Sequence, residues 1–178
     1  MPELKPMQLT PEMVEKETVL SCMIERMHNE PSAKNMESLL GALKGSFVYV
    51  PVKIMIDPSQ SAAVQKAARE GNIAALGGKV RFAPLLMVNN TTKEKILPVF
   101  SREEEYHDEK SAEKIPTYLR IPIENIIELA DNMPEAFDFG FDIRTHAVRM
   151  TLDQLEIGLG MAEAPSDEEE EGEEGAEA

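Results

Sequence analysis

PLLMVNNTTKEKILPVFSREEEY, residues 84–106, is the stretch on which the reading of this chain turns. Two apolar runs flank Asn89-Asn90-Thr91-Thr92-Lys93-Glu94, which has the composition of a tight turn. The pattern predicts that residues 79–88 and 95–100 are paired strands of a hairpin. Ser101-Arg102-Glu103-Glu104 then has the S-x-x-E form of a capping box, which predicts a short helix running to Asp108.

Upstream, residues 46–56 (SFVYVPVKIMI) read as the clearest strand. Val48, Val50, Val52, Ile54 and Ile56 fall on one face, and Phe47, Tyr49, Pro51, Lys53 and Met55 on the other. Pro51, Pro84 and Pro98 each interrupt a strand. Proline cannot donate to a ladder, so each marks an edge, a bulge or a non-bonded position, and the sheet is expected to be irregular and strongly bent.

Two helices precede this sheet. Thr10-Pro11-Glu12 is a start signal, with Leu20, Met23, Ile24 and Met27 on one face of a helix over 11–28. Asn29-Glu30-Pro31 ends it. Ser32 caps a second helix, in which Met36, Leu39, Leu40 and Leu43 form a buried stripe and Gly45 is the stop. Downstream, 117–121 reads as a strand. Pro122 opens a helix to about Asn132 that buries Ile123, Ile126, Ile127 and Ala130. Residues 137–143 and 146–150 form a hairpin, and Thr151-x-x-Gln154 caps a last helix. The Ala-rich segment 60–78 reads as a lightly packed insert, helical up to Glu70.

The chain has 178 residues, 42% of them apolar, enough for one domain with a real core. Aromatics make up 5%, with no Trp and 11 Met, so the core is expected to be aliphatic and thioether-rich. Net charge is −15, unevenly placed. From Glu163 onward there are nine acids and no Lys or Arg. Removing them leaves 24 acids against 18 bases, so the body carries −6. The acidic tail has nothing to bury and is expected to be disordered. Nucleic acid is a poor partner for this charge, because phosphate binding is dominated by cationic contacts. An anionic membrane surface is disfavoured in the same way.

Cys22 is the single cysteine, so no internal disulfide can form, which suits a reducing compartment. The first residues lack a basic region followed by an apolar run, and no apolar segment is long enough to span a bilayer. The expected location is the cytoplasm.

The order of elements resembles the N-terminal domain of the SseB family, bacterial proteins often labelled as enhanced-serine-sensitivity or type III secretion-associated. The residues that carry the likeness are Phe47-Val48-Tyr49-Val50-Pro51-Val52 and Pro84-Leu85-Leu86. The strongest piece is Leu97-Pro98-Val99-Phe100-Ser101-Arg102-Glu103-Glu104, close to the family's "lPvFTs-x-E" run. Phe139-Gly140-Phe141-Asp142 stands where the family has a "G-[IV]-x-[IV]-N-P" turn, and here Asp142-Ile143 replaces the Asn-Pro. The likeness covers roughly residues 36–157. It implies a fold, and it implies no defined activity or cofactor.

Several residues invite a chemical reading. Glu103, Glu104 and Glu105 beside His107 and Asp108 have spacing that metals use, but the ordinary reading is a solvated helix start. Asp138, Asp142 and His146 could converge across the last hairpin on a divalent ion, against an ordinary reading as outward residues of a half-buried hairpin. Cys22 has no activating His nearby and reads as a packed or semi-exposed thiol. Met13, Met23 and Met27 could line an adaptable groove, or simply fill the core. Walker loops, dinucleotide glycine fingerprints, G-x-S-x-G elbows and paired C-x-x-C motifs are absent from the sequence.

These readings combine into an α+β protein with a mixed, largely antiparallel bent sheet, packed helices, two N-terminal helices and a disordered acidic C-terminal tail. Its expected divisions are an N-terminal arm and helix at 1–31, the α+β domain at 32–160 and the tail at 161–178. The expected function is a non-enzymatic cytoplasmic module that binds another protein, as a monomer or weak homodimer, with no cofactor, nucleic acid or membrane. The candidate interaction surface is Pro98, Phe100, Glu104, His107, Asp142 and His146, with an exposed apolar patch near 98–100 or on the Met-rich first helix. The rival is an enzyme or small-ligand or metal binder using a cleft between 103–108 and the 137–146 hairpin.

Overall fold

The computed structural model describes residues 9–56, 59, 62, 80–106, 117–131 and 133–163. His107, Asp108, almost all of the 60–78 insert and the tail beyond Glu163 lie outside the described residues. The fold is α+β. Helix α1 (Pro11–Asn29) starts at Thr10, whose hydroxyl accepts from the Met13 amide. Helix α2 (Ala33–Leu43) starts at Ser32, whose hydroxyl accepts from Asn35. Both caps satisfy amides that the first helical turn leaves without partners.

Strand β1 (Phe47–Ile56) has β2 (Val80–Pro84) on one side and β5 (Thr117–Pro122) on the other, all antiparallel. A second sheet runs β3 (Met87–Val88), β4 (Lys95–Val99), β6 (Asp138–Phe141) and β7 (Val148–Met150), with β4 and β6 parallel. The sheets meet where Tyr49 and Phe100 exchange two backbone hydrogen bonds, each 2.9 Å. The expected bend falls at this junction.

The expected hairpin needs a correction. Only Met87 and Val88 pair with β4, opposite Ile96 and Lys95, while Val80–Pro84 pairs with β1 instead. Pro84 ends the first half, and the Leu85 amide donates to Pro51 O at 2.9 Å as the chain crosses between sheets. Pro98 fits the same geometry. The Val99 carbonyl accepts from Asp142 on the β6 side, so Pro98, one residue back, faces the other way. That side lies past the end of β3, where no ladder donor is lost.

Helix α3 (Ile123–Asp131) buries Ile123, Ile126, Ile127 and Ala130, as its periodicity requires. Pro122 closes β5 opposite Phe47 and does not open the helix. Helix α4 (Leu152–Leu159) carries the full capping box, with Thr151 and Gln154 each bonded to the other's amide. One core unites these elements: Leu20 and Ile24 of α1, Leu39 and Leu43 of α2, Val48 and Val50 of β1, Leu97 and Val99 of β4, Phe139 and Phe141 of β6, and Leu155 of α4. Helix α1 is therefore part of the same packed body as the sheets. Among the described residues no helix is long and apolar enough to cross a membrane.

Candidate functional site

The junction of the two sheets gathers all three tyrosines of the chain and one of its six phenylalanines. Tyr49 sits on β1, Phe100 follows β4, and Tyr118 is on β5; Tyr106 follows a single 3-10 turn, Glu103–Glu105. Tyr106 and Tyr118 are stacked, with ring centroids 3.7 Å apart and planes 14° apart. Phe100 meets both edge-on at 5.9 Å, and Tyr49 lies 5.5 Å from Tyr106. Burial raises all three phenols. Tyr49 is pushed up to about 12, with the Glu17 charge adding to the effect, and Tyr106 is raised further by Glu103.

Beside this cluster lies an apolar groove of about 290 Å³, lined by Pro51, Leu85, Met87, Pro98, Phe100 and Tyr118. Ile143 and Arg144 of the β6–β7 turn form one wall. Pro98 and Phe100 are themselves buried. The exposed apolar residues here are Leu85 (36%), Met87 (52%) and Val88 (49%). Met87 and Val88 are the edge strand of their sheet. Arg144 Nη1 donates to the Tyr106 carbonyl at 2.9 Å, which ties the wall to the 3-10 turn. Glu103 and Glu104 stand exposed on that turn.

Behind the groove the expected capping box is replaced by a different arrangement. Ser101 does not cap a helix: its amide donates to Asp142 Oδ1 at 2.8 Å and its hydroxyl to Oδ2 at 2.7 Å. Among the described residues no side chain caps the 3-10 turn. Asp142 is not an outward hairpin residue. It is fully buried, at φ 43°, and its carbonyl accepts from the amides of Thr145, His146 and Ala147. The β6 alternation ends in this turn, and its tight backbone points Asp142 inward. Burial pushes its carboxyl up to about 6; the two Ser101 bonds oppose this, Glu105 adds to it and His146 opposes it.

Glu105, not Glu104, is the buried acid of the run. Its Oε1 accepts from Arg102 Nη2 at 3.1 Å and its Oε2 from Thr145 Oγ1 at 2.6 Å. Thr145 Oγ1 is also 3.0 Å from Nδ1 of half-buried His146. A ligand atom from each of Glu105, Asp142 and His146 lies within 4.8 Å of the others. His28, at the end of α1, meets the His146 ring edge-on at 5.8 Å.

Other candidates fall elsewhere. Asp138 pairs with Arg149 at 2.8 Å in a separate polar hollow and does not join Asp142. Cys22 is exposed. Met23 and Met27 pack on the core, so the Met-rich face of α1 is mostly internal, although Val14 and Val19 are exposed on that helix. The sequence reading missed Ser101 and Thr145 as site residues. It also missed Glu17, which is buried on α1 and accepts from Arg120 Nε at 3.0 Å and from the Tyr49 hydroxyl at 3.1 Å.

Fold and site together define a small α+β domain, in which two bent sheets meet at an aromatic corner backed by buried carboxylates. Residues 20–157 match the SseB protein N-terminal domain, and the chain belongs to that family. The match takes in the second half of α1, further upstream than the motifs alone reach. No curated protein and no solved structure matches the chain.

Proposed function

We propose that this chain is a non-enzymatic, cytoplasmic protein-binding module, whose corner groove takes an extended apolar segment of a partner protein flanked by basic residues. The observation that carries this reading is the groove itself. Exposed Leu85 and Met87 line an apolar hollow beside the edge strand β3, and such patches mark interaction sites more often than solvated surface. An extended segment can add to a sheet edge through its backbone while alternate side chains enter the hollow.

Charge supports the basic flanks. Glu103 and Glu104 are exposed on the neighbouring turn, and the whole chain carries −15. The same charge opposes pairing of two copies, which favours a different partner and a monomeric free state. The single cysteine supports a reducing, cytoplasmic setting.

The test is selection of displayed extended peptides on the immobilised full chain, followed by binding to variants. Leu85→Asp and Met87→Asp should each weaken the selected peptides by at least about tenfold, as loss of a central apolar anchor does. Val14→Asp, on exposed α1, should leave binding unchanged. Peptides that ignore both groove variants, or that depend on Val14, would refute the groove as the site.

A further inference from the structure

We infer that Glu105, Asp142 and His146 form a binding site for a divalent first-row transition cation of the zinc class. The three ligand atoms already lie within 4.8 Å of one another. Tetrahedral coordination with bonds of about 2.0–2.2 Å holds ligand atoms about 3.3–3.6 Å apart, so the set would draw in by up to about 1.5 Å as the ion binds.

The environment differs from that of a surface acid patch. Asp142 is fully buried and Glu105 nearly so, on two segments about forty residues apart that meet only through the fold. Arg102 neutralises Glu105, whereas both donors to the Asp142 side chain come from uncharged Ser101. Among the described residues, two buried carboxylates facing one imidazole thus stand beside a single paired arginine, a net negative site that favours a cation.

Each ligand is also held from behind. Ser101 fixes both oxygens of Asp142, Arg102 and Thr145 fix Glu105, and Thr145 sits against the His146 ring. Outer contacts of this kind orient metal ligands and tune their affinity. The ligand chemistry selects the ion. Calcium and magnesium favour all-oxygen sites, whereas an imidazole joined to carboxylates favours zinc and its neighbours. Three protein ligands leave a coordination position open. A bound ion would lock the β6–β7 turn, and with it Ile143 and Arg144 of the groove wall. The inference does not depend on the groove's having a partner.

The experiment is titration of the full chain, stripped with chelator, with cobalt(II) alone, reading the visible absorption that nitrogen ligation produces. A single site is expected, with cobalt displaced by zinc and not by calcium. His146→Ala should abolish the spectrum while circular dichroism shows the fold kept. Thr145→Val should weaken binding by about tenfold, as loss of a supporting contact does. Absence of a cobalt spectrum, displacement by calcium, or a spectrum unchanged in His146→Ala would overturn the assignment. The last two results would place the ion on other ligands of the chain.

Discussion

Tyr106 and Tyr118 stack face to face with their centroids 3.7 Å apart, which joins the end of the 3-10 turn to β5. Together with Tyr49 they are all the tyrosines of the chain, and burial raises every one. The folded state holds the neutral phenols more tightly than the unfolded chain does. Its stability is therefore intact below the ordinary phenol value and declines as pH rises from there toward the raised values. Ultraviolet titration should show less tyrosinate at pH 10 in the native protein than in urea, where about half of each phenol ionises, and the native Tyr49 phenol should ionise only near pH 12.

Glu17 and Arg120 pin α1 to the sheet junction. The pair is 3.0 Å apart, with side-chain exposures of only 9% and 12%, and Arg120 also lies 4.4 Å over the Phe47 ring. Among the described residues Arg120 Nη1 is buried with no hydrogen-bond partner, so this guanidinium depends heavily on Glu17. Glu17→Ala should destabilise by about 3–5 kcal/mol in urea unfolding, because it strands a buried charge. Replacing both residues with Met should cost less than Glu17→Ala alone, since an apolar pair carries no desolvation penalty.

Gly140 has no room for a side chain. A Cβ there would lie 2.7 Å from Ile96 Cγ2 and would also meet Ile143 Cγ2. Gly140→Ala should therefore lower stability by about 1–3 kcal/mol, the usual range for overpacking. Because Ile143 lines the groove, the same variant should also weaken the selected peptides, as read by comparing its binding curve with wild type.

Ser101 bonds Asp142 through both its amide and its hydroxyl. Ser101→Ala removes the hydroxyl and leaves a buried carboxylate oxygen without that donor. It should cost about 1–3 kcal/mol in thermal or urea unfolding. Asp142→Asn keeps acceptor and donor opposite Ser101 and should cost less.

Much of the fold was legible because its signals are local. Thr10, Ser32 and the Thr151–Gln154 pair cap helices as their spacing predicts, and Ile123, Ile126, Ile127 and Ala130 lie on one buried face. The family was legible from 97–104, although the structure uses those residues differently. Ser101-Arg102-Glu103-Glu104 has the form of a capping box, yet Ser101 turns to Asp142, forty-one residues away. No local pattern encodes that choice, because a buried acid competes with a helix amide only after the sheets have met. For the same reason the run of three glutamates did not reveal that Glu105 alone turns inward, and the strand expected at 79–88 did not reveal that it changes partner at Leu85. Pro84 and Pro98 were the available clues, and they marked the bend without naming the partners.

The most direct test of the central claim follows the methionine methyl signals of the full chain by NMR as a selected apolar-basic peptide is added. The account predicts that the Met87 signal shifts and saturates with the binding curve, while Met23, Met27 and Met150 stay in place because they are packed on or within the core. A saturating shift at Met13 or Met23 with Met87 unmoved would contradict it, and would move the binding surface to α1.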